Sequence, residues 1–163
     1  MPENFQSRKF RWLFNFFPAY RGTGGRVVYI ADDWHEVRVK LPLNWRTRNY
    51  VGTIYGGSIY GAADPIYMLM LMRILGDGYV VWDKAAKVRF RKPGKATLYA
   101  DFRLRRDEIA EIRSLAENAR SIDRIYNVEL KDNSGVIYAE IEKTLYISKK
   151  RGIDELLGTG VHI

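Results

Sequence analysis

Two features of this sequence carry residue types that could do chemistry, and they lie close together. Gly56-Gly57 opens a strongly apolar segment, and Asp64 lies inside it. Read as a helix, the segment begins with amide groups that have no intrahelical acceptor. With the helix dipole behind them, such amides stabilise an oxyanion. Glycines there let a carbonyl approach the backbone closely. The Asp64 carboxylate can activate water or attack directly. A carboxylate on an otherwise apolar helix needs a reason. Catalysis or binding is one. The other is that Asp64 satisfies backbone groups freed at Pro65, which removes an N–H from the helix ladder and leaves the Gly61 carbonyl unpartnered.

Eight residues of helical rise separate Gly56 from Asp64 by about 12 Å. The two cannot serve one carbonyl within one chain. A two-fold dimer solves this by setting the helix start of one protomer against the helix middle of the other. Lys84 shares strand parity with Trp82, Ala86, Val88 and Phe90, which predicts that it faces the helix and pairs with Asp64; a strand-end lysine reaching solvent by its stem is the alternative. Lys87, Arg89, Arg91, Lys92 and Lys95 form a basic run along one strand face and into a turn, suited to phosphates or simply to solvent. Met68, Met70 and Met72 read as core filler ahead of an acyl tunnel.

The elements that must hold these residues are legible from periodicity. Residues 4–20 repeat Phe10, Leu13, Phe14 and Phe17 at helical spacing, ended by Pro18, and read as a docking helix ahead of an interfacial membrane helix. Residues 21–26 form a linker. Val27 to Ile30 and His35 to Leu43 read as strands, the second with Val37, Val39 and Leu41 on one face. Gly56 to Leu75 is a long central helix, apolar on nearly all sides and therefore buried, ended by Gly76 and Gly78. Tyr79 to Arg91, Thr97 to Arg105, and Ile122 to Lys131 paired with Val136 to Ile147 form an antiparallel meander. Its turns are at Lys92–Lys95 and Asp132–Gly135. A helix from Arg106 to Arg120, N-capped by Asp107, buries Ile109, Ile112, Leu115 and Ala119. This order gives an α+β layer in which a curved antiparallel sheet wraps the central helix. All 163 residues fit one domain, with 1–26 as N-terminal helix and linker and 149–163 as a tail.

Composition narrows the function. With no cysteine, and only His35 and His162 as imidazoles, neither a thiolate nor a histidine metal site is expected. The net charge of +8 favours anionic partners. No helix-turn-helix or aromatic RNA-binding pattern accompanies it, so no specific nucleic acid is expected. The most apolar run, Ile66 to Leu75, is too short to span a bilayer, so no stable membrane insertion is expected, and the protein reads as cytoplasmic.

The stretch from Asn49 through Gly52, Tyr55-Gly56-Gly57 and Gly61 to Asp64 resembles the hotdog-fold thioesterases of the phenylacetyl-CoA and 4-hydroxybenzoyl-CoA type. Those enzymes run Asn, a spaced Gly, His-Gly-Gly, then Asp in the central helix. Asn49 stands six residues before Tyr55 and Asp64 nine after it, with no gap. The likeness continues through Trp82–Pro93 and weakly into Tyr138–Ile147, with other features closer to an uncharacterised branch. The resemblance implies a hotdog fold and an acyl-CoA or acyl-carrier thioesterase, with coenzyme A only as part of the substrate and no separate cofactor. Gly56 would donate its N–H to the thioester carbonyl, Asp64 would be base or nucleophile, and Asn49 would orient water or carbonyl. Tyr55 stands where the family has His and cannot titrate near neutrality as imidazole does. Gly57, Lys84, Arg91 and Lys92 are the expected substrate-binding residues. The site would lie between two subunits of a homodimer, with a tetramer left open. The alternative is a non-catalytic acyl- or CoA-binding hotdog protein.

Overall fold

The computed structural model describes residues 3–150. The expected tail and His162 lie outside them, apart from Lys149 and Lys150. The elements run in chain order: α1 Phe5–Phe16, α2 Pro18–Thr23, β1 Arg26–Ile30, β2 Glu36–Leu41, α3 Gly56–Ala63, α4 Ile66–Leu75, β3 Tyr79–Phe90, β4 Leu98–Arg103, α5 Arg106–Asn118, β5 Ile122–Lys131 and β6 Ile137–Lys149. The strands form one six-stranded sheet in the order β1-β2-β4-β5-β6-β3, every neighbouring pair antiparallel.

One apolar core explains the architecture. Val37, Val39 and Leu41 of β2, Leu98, Ala100 and Phe102 of β4, Val128 and Leu130 of β5, and Ile141 and Leu145 of β6 all point into it. They meet Ile59, Ala62, Ala63, Ile66, Met70 and Leu71 of the central helical pair. Strand alternation supplies one buried face, and the sheet closes it around the helices. This is the expected hotdog architecture, and burying each of the larger side chains contributes roughly 1.5–3 kcal/mol.

Several expectations are corrected. The central helix is not continuous: it breaks at Asp64-Pro65 into α3 and α4. Nor is it buried all round, since Met72 is 47% exposed and Tyr60, Gly61, Asp64, Met68 and Leu69 are only partly covered. Pro18 ends α1 but also begins α2 as its first residue, so residues 21–23 of the supposed linker are helical. β3 does not pair with β4. The Lys92–Lys95 segment is a crossing rather than a hairpin, carrying the chain from the edge beside β6 to the middle of the sheet. The crossing is pinned where Ile54 N–H donates to the Gly94 carbonyl at 2.8 Å. In α5, Arg105 rather than Asp107 holds the N-cap position, and Asp107 instead pairs with Arg105. The buried stripe of α5 is Ile109, Ile112 and Ala116, with Leu115 turned to solvent.

Candidate functional site

The helix break creates the site. Pro65 cannot donate to the Gly61 carbonyl, so the helical ladder stops there, although Asp64 N–H still reaches the Tyr60 carbonyl at 2.8 Å. The Asp64 side chain is 38% exposed, and its Oδ1 lies 2.5 Å from Lys143 Nζ, whose side chain is 1% exposed. Lys143 comes from β6, where it shares the buried face with Ala139, Ile141, Leu145 and Ile147. A second carboxylate, Asp83 of β3, meets the same ammonium at 2.8 Å. The Tyr60 hydroxyl accepts from it at 3.4 Å, with the ammonium 5.3 Å from the ring centre.

One enclosed cation thus holds two partly exposed acids and a phenol. Burial pulls the Lys143 pKa down, but bonding to Asp64 and Asp83 more than offsets it, leaving it above the ordinary lysine value. Burial pushes the Asp83 carboxyl up, against the opposing pull of Lys143. The Tyr60 hydroxyl is also raised, first by burial and then by its hydrogen bond to Asp64.

Lys84 does not take this role. It sits at a bulge in β3, where pairing steps from Asp83↔Leu145 to Ala85↔Thr144. The extra residue breaks strand parity, and Lys84 turns outward to Asp123 at 2.5 Å with its side chain 55% exposed. The same bulge leaves Asp83 facing Lys143. Lys143, Asp83 and Tyr60 were missed in the sequence, although a signal existed: Lys143 interrupts the apolar alternation Ala139, Ile141, Leu145, Ile147.

The glycine pair forms the second part of the site. Tyr55 occupies the N-cap position of α3 without a side-chain cap bond and is 59% exposed. The N–H groups of Gly56 and Gly57 meet no acceptor among the described residues. A Cβ on Gly57 would fall 2.3 Å from the Tyr55 ring, and one on Gly56 would fall 3.1 Å from the Phe90 ring. At both positions an exposed aromatic ring lies over the glycine.

A groove of about 630 Å³ opens at this helix end. Ile54, Ile59 and Phe90 give it apolar walls, Gly56 and Asn49 line it, and Arg91, Lys92 and Lys95 supply cations. The structure therefore brings together Asn49, Gly56, Arg91 and Lys92 from the sequence-derived set. Asn49 spends its amide on its own loop: Nδ2 donates to Thr53 Oγ1 at 2.9 Å, and Oδ1 accepts from the N–H groups of Val51 and Thr53 at 3.1 and 3.0 Å. Arg91 is partly engaged by Glu140 at 2.8 Å. Within one chain Asp64 is not a lining residue of this groove. Of the methionines, Met70 is in the core, Met68 packs against it and Met72 faces outward.

Among the described residues, no three of His, Cys, Asp and Glu converge to hold a metal ion. His35 Nδ1 is 2.7 Å from the Leu104 carbonyl, a structural tie between β2 and the end of β4. No described helix is long and apolar enough to cross a membrane.

Known structures share this architecture at low sequence identity. PA5026 of Pseudomonas aeruginosa, described as a "Protein of Unknown Function" and "Probable Thioesterase", superposes with a TM-score of 0.78 at 21% identity, over 92% of this chain and 99% of that one. Thioesterase HI1161 of Haemophilus influenzae gives 0.66 at 14% identity, over 90% and 93%. OLEI01261 of Chlorobaculum tepidum, of unknown function, gives 0.72 at 14% identity, over 89% and 95%. These likenesses establish the hotdog fold. No curated protein matches the chain. The model of one family, described as "Domain of unknown function (DUF4442)", matches residues 6–147, and the chain belongs to that family.

Proposed function

We propose that this protein hydrolyses an acyl-CoA or acyl-carrier thioester at a site completed by two subunits of a homodimer. The observation that carries the reading is the partly exposed Asp64 carboxylate, braced by buried Lys143, on the same helical pair whose glycine-opened end faces an amphipathic groove. The thioesterase descriptions of two structural neighbours support it.

In this reading the thioester carbonyl oxygen accepts the Gly56 N–H of one protomer. Asp64 of the other takes a proton from water as the water oxygen bonds to the carbonyl carbon. The oxyanion collapses, the carbon–sulfur bond breaks, and the proton passes to the departing thiolate, leaving a carboxylic acid and a thiol. Arg91, Lys92 and Lys95 would meet coenzyme A phosphates, and Gly57 would widen the approach to the backbone. The edge position of β3 supports the pairing: it is the last strand of the sheet, Trp82 on it is 64% exposed, and its Phe90 lies against Gly56. A partner docked along β3 would bring its own helix beside this groove. Cytoplasmic action suits an acyl-CoA substrate.

A short and a long acyl-CoA, given to wild type and to Asp64→Asn, test the reading, with sedimentation giving the oligomer. Thiol release that falls by about 10²-fold or more in the variant is expected. Undiminished turnover by Asp64→Asn, or a monomer at working concentration, would sink it. A non-catalytic acyl-binding module is favoured by one observation: Tyr55, not an imidazole, flanks the helix start. Tight acyl-CoA binding without thiol release would establish that module instead.

A further inference from the structure

The chain carries five cations and no acid from residue 4 to residue 31: Arg8, Lys9, Arg11, Arg21 and Arg26. The same segment bears five large exposed apolar side chains between residues 5 and 17. Phe5 is 74% exposed, Trp12 61%, Leu13 51%, Phe16 53% and Phe17 57%. The core claims only the opposite face of α1, through Ser7, Phe10 and Phe14. A docking helix that needed only to cover the core would carry polar residues on its outer side. Here Phe5, Trp12 and Phe16 recur along that side at spacings of seven and four, with Lys9 between them.

Beside this stripe lies a cleft of about 270 Å³ lined by Arg11, Arg21, Arg26 and Arg46 together with Trp12 and Phe16. Arg46 donates to the Arg21 carbonyl at 3.4 Å, and the Arg21 guanidinium stands 5.8 Å from the Phe16 ring centre. Arg11 is paired with Glu3. Arg21, Arg26 and Arg46 form no ion pair among the described residues.

We propose that this face, α1 with the arginine cleft at its end, docks the protein onto an anionic lipid bilayer surface. The aromatic stripe would lie at the boundary between headgroups and acyl chains, and a lipid phosphate would sit in the cleft. Charge decides between occupants. A second copy of this face would set the arginines against their own images, whereas an anionic surface neutralises them. Leu13 and the phenylalanines offer apolar area that a hydrocarbon phase buries. Docking does not require a spanning helix. The segment rests directly on the helix that leads to Asp64: Thr23 packs on Gly61, Gly25 packs on Ala62, and the Tyr20 hydroxyl donates to the Ala62 carbonyl at 3.1 Å.

Co-sedimentation of the full chain with vesicles of phosphatidylcholine alone, and with vesicles also containing phosphatidylglycerol, tests the proposal without any thioester present. It is therefore read separately from hydrolysis. Binding only to the mixed vesicles is expected, weakened by about tenfold or more in Trp12→Ser/Phe16→Ser and again in Arg21→Glu/Arg46→Glu. These side chains are exposed, so circular dichroism should show both variants folded. No binding to the mixed vesicles overturns the proposal. Binding indifferent to Trp12→Ser/Phe16→Ser also overturns it, because charge attraction alone would then be at work. A fall in oligomeric mass on that substitution would assign the face to a second copy instead.

Discussion

Lys143 Nζ lies 2.5 Å from Asp64 Oδ1 and 2.8 Å from Asp83 Oδ1, with the lysine side chain almost wholly enclosed. Removing one member of such a group leaves the others uncompensated. Lys143→Met is therefore expected to cost about 3 kcal/mol at neutral pH, the low end for a buried pair because Asp64 reaches solvent. Adding Asp83→Asn should recover part of the loss. Chemical denaturation of the two variants measures both.

The same contact sets a pH dependence. The folded-state pKa of Lys143 is raised above its unfolded value of 10.5. Its contribution to stability is thus fully present below that value and is lost as pH rises through the folded pKa. Denaturation midpoints taken from neutral to strongly alkaline pH should fall in wild type, with that component of the slope missing from Lys143→Met.

Lys84→Ala should change stability by no more than about 0.5 kcal/mol, because its pair with Asp123 is exposed. A large effect would mean that the pair with Asp123 counts for more than an exposed ion pair should. Thermal melts of the two lysine variants side by side decide this.

Gly25→Ala is expected to destabilise by about 1–3 kcal/mol, since the new Cβ would fall 2.7 Å from Ala62 Cβ and 3.1 Å from its Cα, and backbone cannot step aside cheaply. Gly22→Ala meets nothing within 4 Å and sits in helix α2. It should be neutral or stabilising by up to about 1 kcal/mol. Urea midpoints of the two variants should move in opposite directions or differ by at least that margin.

For an acyl-CoA substrate, Lys92→Ala/Lys95→Ala is expected to raise KM about tenfold with little change in kcat, since cations far from the reacting carbonyl contribute uniform binding. Arg91→Ala should do less, because Glu140 already holds its guanidinium. Steady-state kinetics on one acyl-CoA separates these effects.

The fold was readable because its signals are periodic. Val37, Val39 and Leu41 announce a half-buried strand, and all three are buried. The glycine pair marks where α3 begins. What failed was local. A bulge shifts parity by one residue without a sequence signature of its own, so strand parity points to Lys84 where the structure puts Lys143. Strand order failed for another reason: a tight Lys-Pro-Gly-Lys turn fits a hairpin and a crossing equally well, and the long-range pairing of β3 with β6 makes it a crossing. Asp83 was invisible because its partner was misassigned.

From Arg91 to Thr97, Gly94 alone is buried. One wall of the groove is therefore made from residues on which the core does not depend, while Ile54 and Ile59 in the rest of its lining are buried in that core. The lining of this wall and the folding core are written in separate stretches of chain. Substitutions at positions 91, 92, 93 and 95 can therefore alter the shape and charge of the groove while the scaffold beneath keeps its form.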